Sequence, residues 1–150
     1  MGDDTGSLEV IPVDECYRLL EGHEFGRIGV VSPHGPLIMP VNYGMDGTTL
    51  VIRTHPGSTL AAAQHARVSF QVDDIDRRTR SGWSVLLLGV AEEVGADDRV
   101  EVIRRTHAVD VRPWAPGEHG TWLRLWPQTV TGRRLLATDL PWGVDQRAYL

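Results

Sequence analysis

Residues 83–94 begin with apolar side chains at both parities: Trp83, Val85 and Leu87 on one, Leu86 and Leu88 beside Ser84 on the other. Successive side chains of a strand point to opposite faces, so this stretch predicts a long central strand covered on both sides, inside a barrel or under a partner chain. Just upstream, Ala66, Val68, Phe70 and Val72 alternate with Arg67, Ser69, Gln71 and Asp73. That is a strand with one apolar face and one polar face, the polar one meeting water or a ligand.

The rest of the chain extends this pattern. Ile28–Val31 reads as a strand, Pro33-His34-Gly35-Pro36 as a turn, and Leu37–Tyr43 as a strand running back. Asp46-Gly47 between apolar runs is a hairpin signal leading into Thr48–Thr54. Val13, Cys16, Tyr17 and Leu20 recur at i, i+3, i+4 and i+7, which predicts a short amphipathic helix bounded by Pro12 and Gly22. A second helix is expected over 59–65, capped by Ser58, and a third over 97–107 with Val100, Ile103 and His107 on its inner face. Thr121–Trp126 and Val130–Leu135 read as a strand pair or as one strand bent at Pro127. Trp122, Arg124 and Trp126 share a parity there, a face suited to a dimer interface, a stacking wall for a ligand or a partly covered barrel exterior.

The pattern predicts a mainly β domain with short helices, a six-stranded antiparallel barrel over 11–138, with tails at 1–10 and 139–150. All 15 Lys and Arg positions are arginine, which excludes Schiff-base chemistry and a phosphate-loop lysine. With net charge −5 and scattered arginines, the chain has no basic stripe for nucleic acid. The lone Cys16 cannot close an internal disulfide, and its helical position reads as core. The absence of a signal-peptide pattern and of a long apolar run, together with that cysteine, gives the expectation of a cytoplasmic protein away from membranes. The six histidines show no HxxxH or HExxH spacing, so no metal site is expected. Asp73, Asp74 and Asp76 lack the offsets of a calcium loop and read as a solvated turn.

Chemistry concentrates in Met39–Tyr43 and Val51–Leu60. A strand ending in Arg53-Thr54 and passing through Gly57 to Ser58-Thr59 gathers a guanidinium, hydroxyls and helix-start N–H groups, the donors a phosphate monoester needs. The same residues also suit an ordinary strand–turn–helix join with a surface arginine.

The segments "GRIGVVSPHGPLIMPVNYGMDGTTLVIRTHPGSTL", "VSFQVDDIDRRTRSGWSVLLLGVAEEV" and "RLWPQTVTGRRL" resemble, over about residues 11–135, the pyridoxamine 5'-phosphate oxidase-like proteins with the FMN-binding split barrel. The resemblance implies a homodimer with flavin in grooves between two barrels. It assigns Arg53, Thr54, Ser58 and Thr59 to the phosphate and Pro40, Val41 and Asn42 to the ring. Ser69, Gln71, Trp83 and Ser84 are further candidates for ring contacts. Many members carry a lysine where this chain has Thr59, leaving Arg53 as the one cation of the phosphate segment. FMN is the implied cofactor, with the deazaflavin F420 or haem as alternatives. The implied activity is flavin-dependent oxidation–reduction with a hydride donor such as NAD(P)H. A non-catalytic binder of the same cofactors, or a barrel acting only as an interaction module, remains open at this level.

Overall fold

The computed structural model describes residues 8–54, 58, 61–63, 65–106 and 120–136. Its strands are β1 Leu8–Ile11, β2 Phe25–Ser32, β3 Gly35–Asp46, β4 Thr49–Thr54, β5 Arg67–Asp76, β6 Ser81–Glu93 and β7 Thr121–Leu135. Its helices are α1 Val13–Glu21 and α2 Ala96–Thr106. All strand pairs are antiparallel, and β7-β4-β3-β2-β5-β6 closes on itself through the β6–β7 pairing. The expected six-stranded ring is therefore present, with one strand more. Residues 8–10, expected in the N-terminal tail, pair with β7 at 133–135, where β4 has left the same edge of that strand vacant. The expected end of the domain at 138, and the tail after it, lie outside the described residues.

Each sequence signal has a local cause in the structure. Asp46 pairs with Thr49 across a two-residue loop, and Gly47 there takes φ +61°, a conformation that costs glycine little. Residues 121–135 form one strand with an irregularity at Pro127. Gly89 faces Pro127 while Leu88 faces Thr129, which leaves Gln128 as the extra residue of a bulge. The bulge switches parity, so Leu123 and Leu125 point inward before it and Val130 after it.

The barrel interior holds Ile28, Tyr43, Leu50, Ile52, Phe70, Val85, Leu87, Leu123 and Leu125, all nearly inaccessible to water. Tyr43 and Phe70 meet edge to face at 5.0 Å. Helix α1 closes the core with Cys16 and Leu20, as its spacing predicts, although Val13 stays exposed. The Tyr43 hydroxyl donates to the Leu20 carbonyl at 2.6 Å, which ties the helix end to the barrel. Burial pushes the Cys16 thiol above its ordinary pKa, and the neighbouring Glu15 charge acts in the same direction, as suits a core cysteine.

Helix α2 departs from its predicted face. Val102 and Thr106 are buried and Ile103 partly so, while Val100 is 75% exposed; His107 lies outside the described residues. The helix lies on the barrel exterior, where Val51, Trp122, Val94 and Val102 form a second apolar cluster. Of the alternatives for its face, the barrel exterior is the one the structure gives Trp122, which is covered within the chain. An ionic clasp fixes the helix: Asp46 Oδ1 lies 3.1 Å from Arg105 Nε, and Asp46 Oδ2 lies 2.9 Å from Arg124 Nη2. Both contacts act through charge, while Arg124 Nη1 donates to Thr49 Oγ1 at 2.8 Å.

The Asp46 and Arg124 side chains are only 9% and 15% exposed, so removing one charge strands the other in a poorly solvated place. Asp46→Asn is expected to cost about 3 kcal/mol in urea unfolding and to shift Trp emission to the red as α2 loosens from Trp122. An unchanged midpoint and spectrum would show that the apolar contacts hold the helix alone.

Candidate functional site

The ring has two exteriors. Helix α2 covers the β4–β7 side and the adjoining Asp46 end of β3, whereas the rest of the outward face of β3 and that of β2, β5 and β6 contribute no residue to the α2 cluster. Antiparallel register aligns that open face into transverse rows. One row runs Ile38, Gly29, Ser69, Leu88, Thr129, and the next runs Pro40, Arg27, Gln71, Leu86, Thr131. A third places Asp73 opposite Ser84 and Ser84 opposite Arg133, with Asn42 opposite Phe25 at its other side. Asn42 and Arg53 are the next residues beyond the Tyr43–Ile52 pair, so both point outward from neighbouring strands.

Most of the residues singled out from the sequence thus share one surface: Pro40, Asn42, Arg53, Ser69, Gln71 and Ser84. Val41 and Trp83 have the opposite parity and pack against the core, with Trp83 meeting the edge of His23 at 4.8 Å. That histidine is held by its Nδ1–H, which donates to the Leu19 carbonyl at 2.7 Å. At the β4 end, the buried Thr54 hydroxyl lies 3.0 Å from Ser58 Oγ, which accepts from Ala61 N–H at 3.0 Å. Ser58 is therefore the cap expected, although the described part of the predicted second helix is a 3-10 turn, Ala61–Ala63. Thr59 and His55 lie outside the described residues. Arg53 sets its guanidinium over the Trp122 ring at 5.6 Å, which steadies it at the edge of the open face.

Three residues of this surface were not anticipated. Arg27 donates to Gln71 Oε1 at 3.3 Å and pairs with Asp73 at 3.4 Å, while Gln71 Nε2 donates to Asp73 Oδ2 at 2.7 Å. Asp73 is accordingly part of a strand network, not of a solvated turn; Asp76 alone of the three carboxylates receives the turn N–H groups of Arg78 and Thr79. Those bonds hold the Asp76 carboxyl below its ordinary pKa. Gly29 is the third, because a Cβ there would run into Ser69 Oγ. The signal for Arg27 and Gly29 lies in the outward parity of β2, visible once Ile28 and Val30 are assigned inward.

The model for pyridoxamine 5'-phosphate oxidase matches residues 12–134, which spans every described element from α1 to β7. The chain belongs to the pyridoxamine 5'-phosphate oxidase family. An uncharacterized protein of Mycobacterium tuberculosis, Rv0080, is 31% identical over 130 residues, 83% of each chain. Among solved structures, the FAD binding protein of Mycobacterium smegmatis is 28% identical and superposes with TM-score 0.65, covering 86% of this chain and 99% of its own. An FAD-binding protein of Mesorhizobium loti, at 24% identity, shares the fold with TM-score 0.69 over 85% of this chain and 97% of its own. Pyridoxamine 5'-phosphate oxidase family membership and these likenesses agree with the split-barrel fold; the open sheet face is where this chain has polar groups to offer a ligand.

Two glycines of these strands predict opposite outcomes. At Gly29 the obstructing atom is a serine hydroxyl that can rotate away, whereas at Gly89 a Cβ would meet the Trp126 carbonyl and Pro127 Cα, which are backbone. Gly29→Ala is expected to leave stability within about 1 kcal/mol while moving Ser69 Oγ, and Gly89→Ala to cost about 2 kcal/mol or more. Urea unfolding of both variants measures the contrast, and equal losses would contradict it.

Proposed function

We propose that this chain binds a flavin against the outward face of β2, β3, β5 and β6 and acts, as a homodimer, as a flavin-dependent oxidoreductase. The observation that carries the reading is the surface itself. At Gly29 the face carries only the Ser69 hydroxyl over the backbone, so a planar ring can lie close to the sheet against that hydroxyl, and Asn42, Gln71 and Ser84 stand around it with further hydrogen-bonding groups. At one edge Arg53 supplies positive charge, and the strand end that follows carries the Thr54 and Ser58 hydroxyls, groups that can hydrogen-bond a phosphate. The residues present therefore fit the group.

A bound flavin would accept hydride from a donor such as NAD(P)H and pass electrons to an oxidant. The chain's own part is to hold the ring flat on the sheet and to give its polar edge hydrogen-bond partners. The Arg27–Gln71–Asp73 network fixes the Gln71 amide in one orientation, with its NH2 toward Asp73 and its oxygen toward Arg27. No side chain is assigned as a catalytic acid or base. FMN, with one phosphate, suits the single cation of the Arg53 segment. A second reading, FAD, is supported by the FAD binding protein of M. smegmatis at 28% identity and by the second outward cation, Arg27.

The homodimer follows from what the face leaves uncovered. Val31 is 81% and Ile38 75% exposed, and Leu86 lies open on the same surface. Side chains of this size rarely cluster on a surface that stays in water, and a second copy would bury them.

Calorimetric titration with FMN, FAD and riboflavin tests the cofactor reading. Arg53→Ala is expected to weaken FMN at least tenfold, a loss of about 1.5 to 3 kcal/mol for a charge-assisted contact, and to change riboflavin little. Equal losses for FMN and riboflavin would place the phosphate elsewhere. Sedimentation at micromolar concentration is expected to show a dimer that Leu86→Asp converts to the 16.6 kDa monomer; a wild-type monomer would contradict the assembly.

A further inference from the structure

A cleft of about 310 Å³ crosses β6 at the bulge, lined by Arg67, Val68, Leu88, Gly89, Gln128 and Thr129. It lies away from Arg53 and Ser58, toward the β7 side of the open face. Its size falls at the lower end of small-molecule sites. The register explains its make-up. Leu88 stands outward between Ser69 and Thr129, and in the next row Val90 stands outward between Arg67 and Trp126. An apolar strip along β6 is thus flanked by a guanidinium on one side and by Gln128, Thr129 and the 48% exposed Trp126 on the other.

The guanidinium of Arg67 makes no ion pair and no hydrogen bond among the described residues, in a chain whose net charge is −5. Arg27, Arg104, Arg105, Arg124 and Arg134 all have carboxylate partners. A lone planar guanidinium presents paired N–H donors that match one carboxylate. Among the described residues no second cation lines the cleft, so its charge suits a monoanion better than a doubly charged phosphate. The Leu88 floor calls for an apolar body on that anion. The Trp126 indole, steadied by the Arg124 guanidinium at 5.4 Å, offers an aromatic wall one row away.

We propose that this cleft binds a small aromatic carboxylate, with the carboxylate on Arg67, its free oxygen edge within reach of the Gln128 amide and Thr129 hydroxyl, and the ring over Leu88 toward Trp126. The bulge builds the site. By leaving Gln128 unpaired it opens space beside β6, and Gly89 permits the bulge because a Cβ there would meet the Trp126 carbonyl. The chemistry of this cleft rests on Arg67, Gln128 and Thr129, none of which is assigned to the flavin.

Benzoate and its neutral isostere benzamide are the probes, titrated by ligand-observed NMR into the flavin-free full-length protein. Benzoate is expected to bind at least fivefold more tightly than benzamide, and Arg67→Gln is expected to abolish that preference. Trp126→Phe and Leu88→Ala should weaken both probes alike, and inorganic phosphate should not displace benzoate. The folded state of each variant is checked by its urea midpoint, and Arg67→Lys keeps the charge while removing the fork, so it should retain only part of the preference. Equal binding of the two probes, no binding of benzoate, or a preference that survives Arg67→Gln would overturn the site. FMN titration of the Arg67→Gln variant should match wild type, so loss of flavin binding in wild type and loss of benzoate binding remain separate results.

Discussion

Closure of the ring rests on how far β7 can bend. This strand must pair with β6 along nearly its whole length while its other edge serves β4 at 121–125 and β1 at 132–135. A straight strand could not follow both partners around a small barrel. The bulge at Gln128 supplies the bend, and Gly89 permits it, because the Trp126 carbonyl occupies the place a Cβ would take. Because the bulge also reverses parity, Leu123 and Leu125 serve the core on one side of it and Val130 on the other. One backbone irregularity thereby sets the barrel's closure, the continuity of its interior and the cleft on its surface.

The exterior is then divided by α2. The Asp46–Arg105–Arg124 clasp holds that helix over Val51 and Trp122, which converts half of the outer surface into a second small core. What remains is the face of β3, β2, β5 and β6, where apolar Val31, Ile38, Leu86 and Leu88 alternate in rows with Arg27, Ser69 and Gln71. Such a mixture is too apolar for a face that meets only water and too polar for a core. It has the composition of a surface completed by a ligand and a second copy, and this is the physical basis for the proposed flavin site.

Much of this was legible in the sequence because strand parity is a strict period. The alternation over 66–73 places Ser69 and Gln71 outward, whereas the strand expected to be covered on both sides from Trp83 keeps Leu86 39% and Leu88 46% exposed within the chain. Asp46-Gly47 and Ser58 declared their turn and cap through residue chemistry alone. The inner face of α2 was misjudged, since Val100, Val102 and Ile103 are close in sequence and only the position of Trp122 decides which of them turns inward. Residues 8–10 gave no strand signal because β1 is short, with Leu8 and Val10 exposed, and its pairing depends on a vacancy along β7. Arg27 and Gly29 were missed for a related reason: their importance comes from cross-strand neighbours at Pro40, Ser69 and Gln71, which are far away along the chain.

The central claim, that the open sheet face and not the α2-covered side receives a flavin, can be tested directly by amide chemical shifts. Titrating FMN into isotopically labelled protein should move the amides of 27–31, 38–42, 69–71 and 84–86, together with Arg53 and Thr54. Those of Val94, Val102 and Thr106 on the covered side should stay in place. Shifts concentrated around α2, or none anywhere at saturating FMN, would contradict the account.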